Sequence, residues 1–132
     1  MLIYKVLTGE QWAAARAGSL VEAPVDKADG YVHFSTAATL TGTLRKWFRG
    51  QEGCVLLAFE SEDFATSLRW EKSRNDEFFP HVFGPVMSEA VVKVWQLELG
   101  DDDVPQLPFD LASTPARSPG AKPELLLDLE KS

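Results

Sequence analysis

Alternation between apolar and polar positions is clearest at the two ends of the chain's first hundred residues. Ile3 to Leu7 alternates and predicts a strand, and Val91 to Leu99 alternates well enough to predict another with one exposed face. Between them, Val55 to Phe59 is an unbroken apolar run, the pattern of a central strand buried on both faces. Shorter strand patterns occur at Tyr31 to Phe34, at Leu68 to Glu71, and around His81, where Gly84-Pro85 stops the segment. Glu60 to Phe64 predicts a turn or a single helical turn, and Lys72 to Phe78 a polar loop.

Two stretches carry helical signals. Thr8-Gly9-Glu10-Gln11 has the spacing of a capping box, Trp12 to Ala17 favours helix, and Gly18 ends it. Pro24 and Asp26 then lie in a connection to the next strand. Ser35 and Thr36 are N-cap residues for a second helix, along which Ala37, Leu40, Leu44, Trp47 and Phe48 share one face. Arg45, Lys46 and Arg49 crowd its last turns, where cations complement the helix dipole. This periodicity assigns Trp12, Trp47 and Trp95 to the core. Strands outnumber helices, which predicts an α+β domain with an antiparallel or mixed sheet.

Composition changes sharply after Gly100. Residues 1–100 hold 13 acidic and 10 basic side chains, whereas 101–132 hold 7 and 3 together with five prolines. The expected organisation is therefore one globular domain over 1–100 and an acidic, proline-rich tail over 101–132, with Leu125-Leu126-Leu127 able to dock as a short amphipathic helix. The near-neutral body offers no basic stripe, which argues against general nucleic-acid binding. No apolar run approaches the roughly 20 residues of a membrane span. The first residues read as a strand rather than a signal peptide, so a cytoplasmic protein is expected. Cys54 is the single cysteine and lies in an apolar run, as a buried structural thiol would.

Candidate chemistry gathers around the two histidines. His33 lies near the end of a strand that feeds a helix, and extended geometry turns His33 and Ser35 to one face. With the open N–H groups of a helix starting near Thr36, they would form a seat for a phosphate or another oxygen-rich group. The alternative is that Ser35 or Thr36 only caps the helix while His33 bonds a carbonyl. Glu71 adjoins Trp70, an arrangement suited to acid–base work or to stabilising a cation; otherwise it pairs with Lys72, Arg69 or Arg74. His81 is held between Pro80 and Gly84-Pro85, which fixes its direction for a site or a structural corner equally. His33, Glu71 and His81 are spaced like no recognised metal-ligand set, so no metal is expected. Phosphate-loop, dinucleotide-fold, hydrolase-elbow and zincin motifs are absent.

Ile3-Tyr4-Lys5-Val6-Leu7, Asp29 to Thr36, Leu68-Arg69-Trp70-Glu71 and Phe79 to Pro85 together resemble the bacterial family called domain of unknown function 952, over about residues 1–100. That resemblance implies an ADP-ribosyltransferase-like fold, a split and mostly antiparallel sheet with two main helices around an NAD-binding cleft. It implies that His33 with Ser35 or Thr36 holds a ribose, and that Tyr31, Trp70 or Phe83 flanks nicotinamide. Glu71 and His81 would supply acid–base or electrostatic catalysis, with NAD as substrate rather than cofactor. The chain departs from that pattern in its late glutamate, since Glu71 precedes the final strands and only Glu89 and Glu98 follow within the body. The expected function is therefore a pocket for NAD or a related nucleotide or phosphorylated small molecule, with catalysis by an ADP-ribosyltransferase-like enzyme as one use of it. The alternative is a non-catalytic binding or interaction module, whose tail recruits a protein partner of unknown kind.

Overall fold

The computed structural model describes residues 1–73 and 76–111. Its strands form two three-stranded antiparallel sheets. The first has the order β1-β3-β6, from β1 (Leu2–Leu7), β3 (Val55–Glu60) and β6 (Lys93–Gln96). The second has the order β2-β5-β4, from β2 (Val32–His33), β5 (Phe78–Val82) and β4 (Leu68–Lys72). An isolated antiparallel bridge between Tyr4 and Ser35 joins them, with a 2.8 Å backbone bond in each direction. The observed class is α+β, as the sequence predicts.

β3 is buried throughout because apolar layers cover both of its faces. Val55, Leu57 and Phe59 turn toward a core shared with Ile3, Leu7, Phe34 and Val82, which fills the space between the sheets. Phe34 meets Phe59 edge-on there, centroid to centroid 5.3 Å. Leu56 and Ala58 turn the other way, onto a second core with Tyr4, Leu40, Leu44 and Trp95. Pleating alone makes this division, since neighbouring side chains leave opposite faces.

Three helices pack around the sheets. α1 (Gly9–Gly18) starts with the predicted capping box: Gln11 N–H donates to Thr8 Oγ1 (3.1 Å) and Thr8 N–H to Gln11 Oε1 (3.0 Å). It ends at Gly18 as predicted, with Ser19 as C-cap in the left-handed conformation. The connection expected around Pro24 is in fact a helix, α2 (Pro24–Asp29), with proline at its first position and Gly30 closing it at φ 85°. α3 (Leu40–Trp47) is shorter than predicted. Residues 36–39 form a hydroxyl-bonded turn instead, and Thr39 occupies the N-cap position. The sequence also places Trp47 in the core, whereas the structure leaves it 64 % exposed on the last residue of α3.

The late strand, Lys93–Gln96, is shorter than its pattern, and a 3-10 turn at Ser88–Ala90 precedes it. Packing continues past Gly100: Val104 is buried, Leu107 and Leu111 lie on the second core, and Trp95 Nε1–H donates to Asp110 at 3.1 Å. The tail anticipated from residue 101 is thus held against the body through residue 111, and the leucine cluster at 125–127 lies outside the described residues. No described helix is long and apolar enough to cross a membrane.

Two positions on α3 test this packing directly. Leu44→Ala, at a side chain 1 % exposed, is expected to cost about 2–5 kcal/mol in urea unfolding, whereas Trp47→Ala should cost less than about 1. Equal losses would contradict the outward placement of Trp47.

Candidate functional site

The second sheet has unequal faces. Val32, Leu68, Trp70 and Val82 point to the core, while His33, Glu71, Phe79 and His81 point away from it. A cleft of about 490 Å3 opens on that outward side, within the range of small-molecule sites. Its walls come from β1 (Tyr4, Val6), α2 (Val25, Asp29), the strand residues His33 and His81, and α3 (Thr43, Trp47).

Tyr31 organises the histidines. Its ring centroid lies 4.6 Å from His33, 4.4 Å from His81 and 4.8 Å from Phe83, while the two imidazoles are 5.2 Å apart. Strand pairing explains the convergence, because His33 and His81 are register partners. Burial, and then the charges of Asp29 and Glu71, raise the Tyr31 phenol above its usual 10.0, so it remains a neutral hydrogen-bond donor.

His81 Nδ1 lies 2.7 Å from Glu71 Oε1. A carboxylate accepts only, so Nδ1 carries a proton, and in the neutral ring Nε2 then holds the lone pair. Among the described residues this pairing replaces the Lys72 or Arg69 partner considered for Glu71, and Arg74 lies outside them. Arg69 lies over Phe83 instead, 5.3 Å from its centroid.

His33 is held on both sides: Nδ1–H donates to Asp26 Oδ1 at 2.7 Å, and Nε2 lies 3.0 Å from Asp29 Oδ2. Only the doubly protonated ring donates to both at once. Asp26 is the hub behind it. Its side chain is 1 % exposed and accepts from Lys5 Nζ, the Ala23 N–H, the His33 N–H and the His33 ring. Burial, the largest influence on this carboxyl, pushes it up. The bonds from His33, Lys5 and Ala23 together outweigh that push and hold it at about 2, below its ordinary 3.8. Burial also pulls the Lys5 ammonium below its ordinary 10.5, with Asp26 opposing.

The cleft also runs along the open edge of β1. Ala58 and Cys54 carbonyls accept from the β6 side, so alternate residues Val55, Leu57 and Phe59 bond toward β1. Their partners Leu7, Lys5 and Ile3 are thereby used, and the main chain of Tyr4 and Val6 faces outward. Tyr4 is taken by Ser35. Val6 presents its N–H and C=O to the cleft that it lines.

Of the residues selected from sequence, Tyr31, His33, Ser35 and His81 line this cleft, with Glu71 and Phe83 attached through His81 and Tyr31. Trp70 does not: it packs against the core from the inner face of β4, and Thr36 also lies outside the walls. The seat expected at a helix start near Thr36 is closed. Thr36 N–H donates to Thr39 Oγ1, Thr39 N–H to Thr36 Oγ1, and Leu40 N–H to the Thr36 carbonyl. Ser35 Oγ is shared with Thr43 Oγ1 at 2.9 Å. Lys5, Asp26, Asp29 and the Val6 main chain were not selected from sequence. Lys5 stood in plain sight as a charge on the inward face of an otherwise apolar strand. Asp29 lies four residues before His33, and Asp26 occupies the third position of a proline-led helix.

Comparisons with known proteins agree with this architecture. A crystal structure of protein CC0527 from Caulobacter crescentus is 44% identical, with a TM-score of 0.78, covering 81% of this chain and 95% of that one. A solution structure of CC0527 is 43% identical, with a TM-score of 0.74, covering 85% and 97%. A comparison with curated proteins finds no match.

The Asp26 hub sets the acid response. A carboxyl held at about 2 when folded and 3.8 when unfolded stabilises the fold fully above about pH 4, and that contribution, about 2 kcal/mol, is lost as pH falls through 2. Asp26→Asn should remove this part of the acid dependence and, by stranding Lys5, cost about 3–5 kcal/mol at neutral pH. Parallel pH–denaturation curves of the two proteins check both.

The profile of the family described as "Protein of unknown function (DUF952)" matches residues 6–94, and this chain belongs to that family.

Proposed function

We propose that the cleft binds an NAD-type ligand through its amide-bearing ring, and that His81 with Glu71 acts on it as an acid–base pair. The observation that carries this reading is the open main chain of Val6 in an aromatic-lined cleft shared with His81. One N–H and one C=O on a strand edge match a planar primary amide, which offers one acceptor and two donors. Phe79, Tyr31 and Phe48 supply apolar ring surface beside it. The two-sheet arrangement, with the cleft at their junction, fits the ADP-ribosyltransferase-like fold that the sequence motifs imply, and assignment to that fold is part of this proposal. A protein of the cytoplasm, where NAD is at hand, is consistent with the reading.

The chemistry follows from the free Nε2 of His81. A water or acceptor hydroxyl gives its proton to Nε2 as its oxygen bonds to the ribose C1′. The C1′–N bond breaks, its electron pair returns to the pyridinium ring, and neutral nicotinamide leaves. Glu71 orients the imidazole and balances the positive charge that the ring acquires.

Two measurements test this reading. NAD and nicotinamide are each expected to raise the melting temperature, since a ligand that binds only the folded state stabilises it, and NAD should release nicotinamide on incubation. Glu71→Gln should slow release by about 100-fold or more while the thermal shift with nicotinamide persists. Stabilisation without release would leave a binding module and remove the catalytic half. No shift with either compound at millimolar concentration would overturn the reading as a whole.

A further inference from the structure

The mouth of the cleft differs chemically from its interior. Inside, the Lys5 charge is matched by Asp26, and Asp29 adds an acidic group beside His33, so an anionic ligand group is not favoured there. At the mouth stands Trp47, 64 % exposed on the last residue of α3, with Val25 of α2, 52 % exposed, also on the lining. An indole left so open contributes little to the fold and offers a flat surface for stacking. Beside it, Lys46 places its ammonium 5.4 Å from the Trp47 ring centroid. The neighbouring cations are engaged: Arg45 pairs with Asp102 at 3.7 Å and Arg49 donates to the Asp102 carbonyl at 3.0 Å. Lys46 makes no ion pair among the described residues.

We propose that this mouth is a subsite for a nucleotide, its base stacked on Trp47 against Val25 and its phosphate beside Lys46. The inference rests on the reading of the cleft as a ligand site and adds an orientation: the anionic part of the ligand lies outward and the amide-bearing ring inward. Neither side chain was selected by its sequence pattern, which assigned Trp47 to the core and Lys46 to the helix dipole.

Calorimetric titration of the full chain with 5′-AMP and with adenosine is the test, with melting curves as a check on folding. AMP is expected to bind the wild type more tightly than adenosine does, and added salt should narrow the difference. Trp47→Ala should weaken both ligands by roughly 5- to 100-fold, the range measured for base–aromatic stacking, while Trp47→Phe should retain part of the affinity. Lys46→Gln should weaken AMP several-fold and leave adenosine unchanged. The subsite is overturned if the wild type takes up no AMP at millimolar concentration, or if Trp47→Ala binds as the wild type does. An equal loss of AMP and adenosine in Lys46→Gln would overturn the phosphate's placement. Nicotinamide titrated alone separates the two proposals: its failure with AMP binding intact sinks the Val6 amide site only, and the reverse result sinks only the mouth.

Discussion

A carboxylate removed from water stays ionised only if donors replace the water it loses, and Asp26 meets that condition four times over. Burial alone would drive its proton back on; instead the Lys5 ammonium, two backbone N–H groups and the His33 ring hold the charge in place. The consequence is geometric as much as electrostatic. β1, the start of α2 and the end of β2 are tied to one atom pair, so the first sheet, the second sheet and the wall between them take fixed positions. Lys5 completes the junction by also donating to the His33 carbonyl at 2.9 Å. Such a buried pair contributes little net stability against an apolar substitute, yet its half-removal is costly, which makes it a device for position rather than for strength.

The histidine face is a product of strand parity. One set of alternate residues on the second sheet builds the core between the sheets, and the other set forms the outward row of Tyr31, His33, Glu71 and His81. The row is polar and aromatic together, a mixture that a purely solvated face would not need. Two imidazoles in adjacent strands receive different treatment there. His33 is clamped at both nitrogens, while His81 is held by a carboxylate at one nitrogen only.

Much of this was legible in the sequence where a signal is local. The capping box at Thr8 and Gln11, the buried run at Val55 to Phe59 and the strand at Leu68 depend on near neighbours and appear as predicted. The convergence of His33 and His81 was suspected from their motifs but could not be derived, because it depends on a register between strands 48 residues apart. Trp70 and Trp47 exchanged roles for a related reason. Periodicity reports which residues share a face but not which of them the fold will cover, and the second core takes Leu40, Leu44 and Phe48 but not Trp47. Thr36 failed as a cap because two threonine hydroxyls close a turn on each other before the helix begins. The Val6 main chain left no mark at all, since an open strand edge belongs to the sheet order and not to any side chain.

The Tyr4–Ser35 bridge carries one more implication. Its paired backbone bonds lock the phase of two sheets at a single rung, and β2 is only two residues long, too short to correct an error further along. A slip of one residue there would exchange His33 with Phe34, driving an imidazole into the aromatic interior and leaving a phenyl ring in its place beside Asp26. Insertions or deletions between residues 30 and 36 are therefore the changes this architecture can least absorb, whatever their composition.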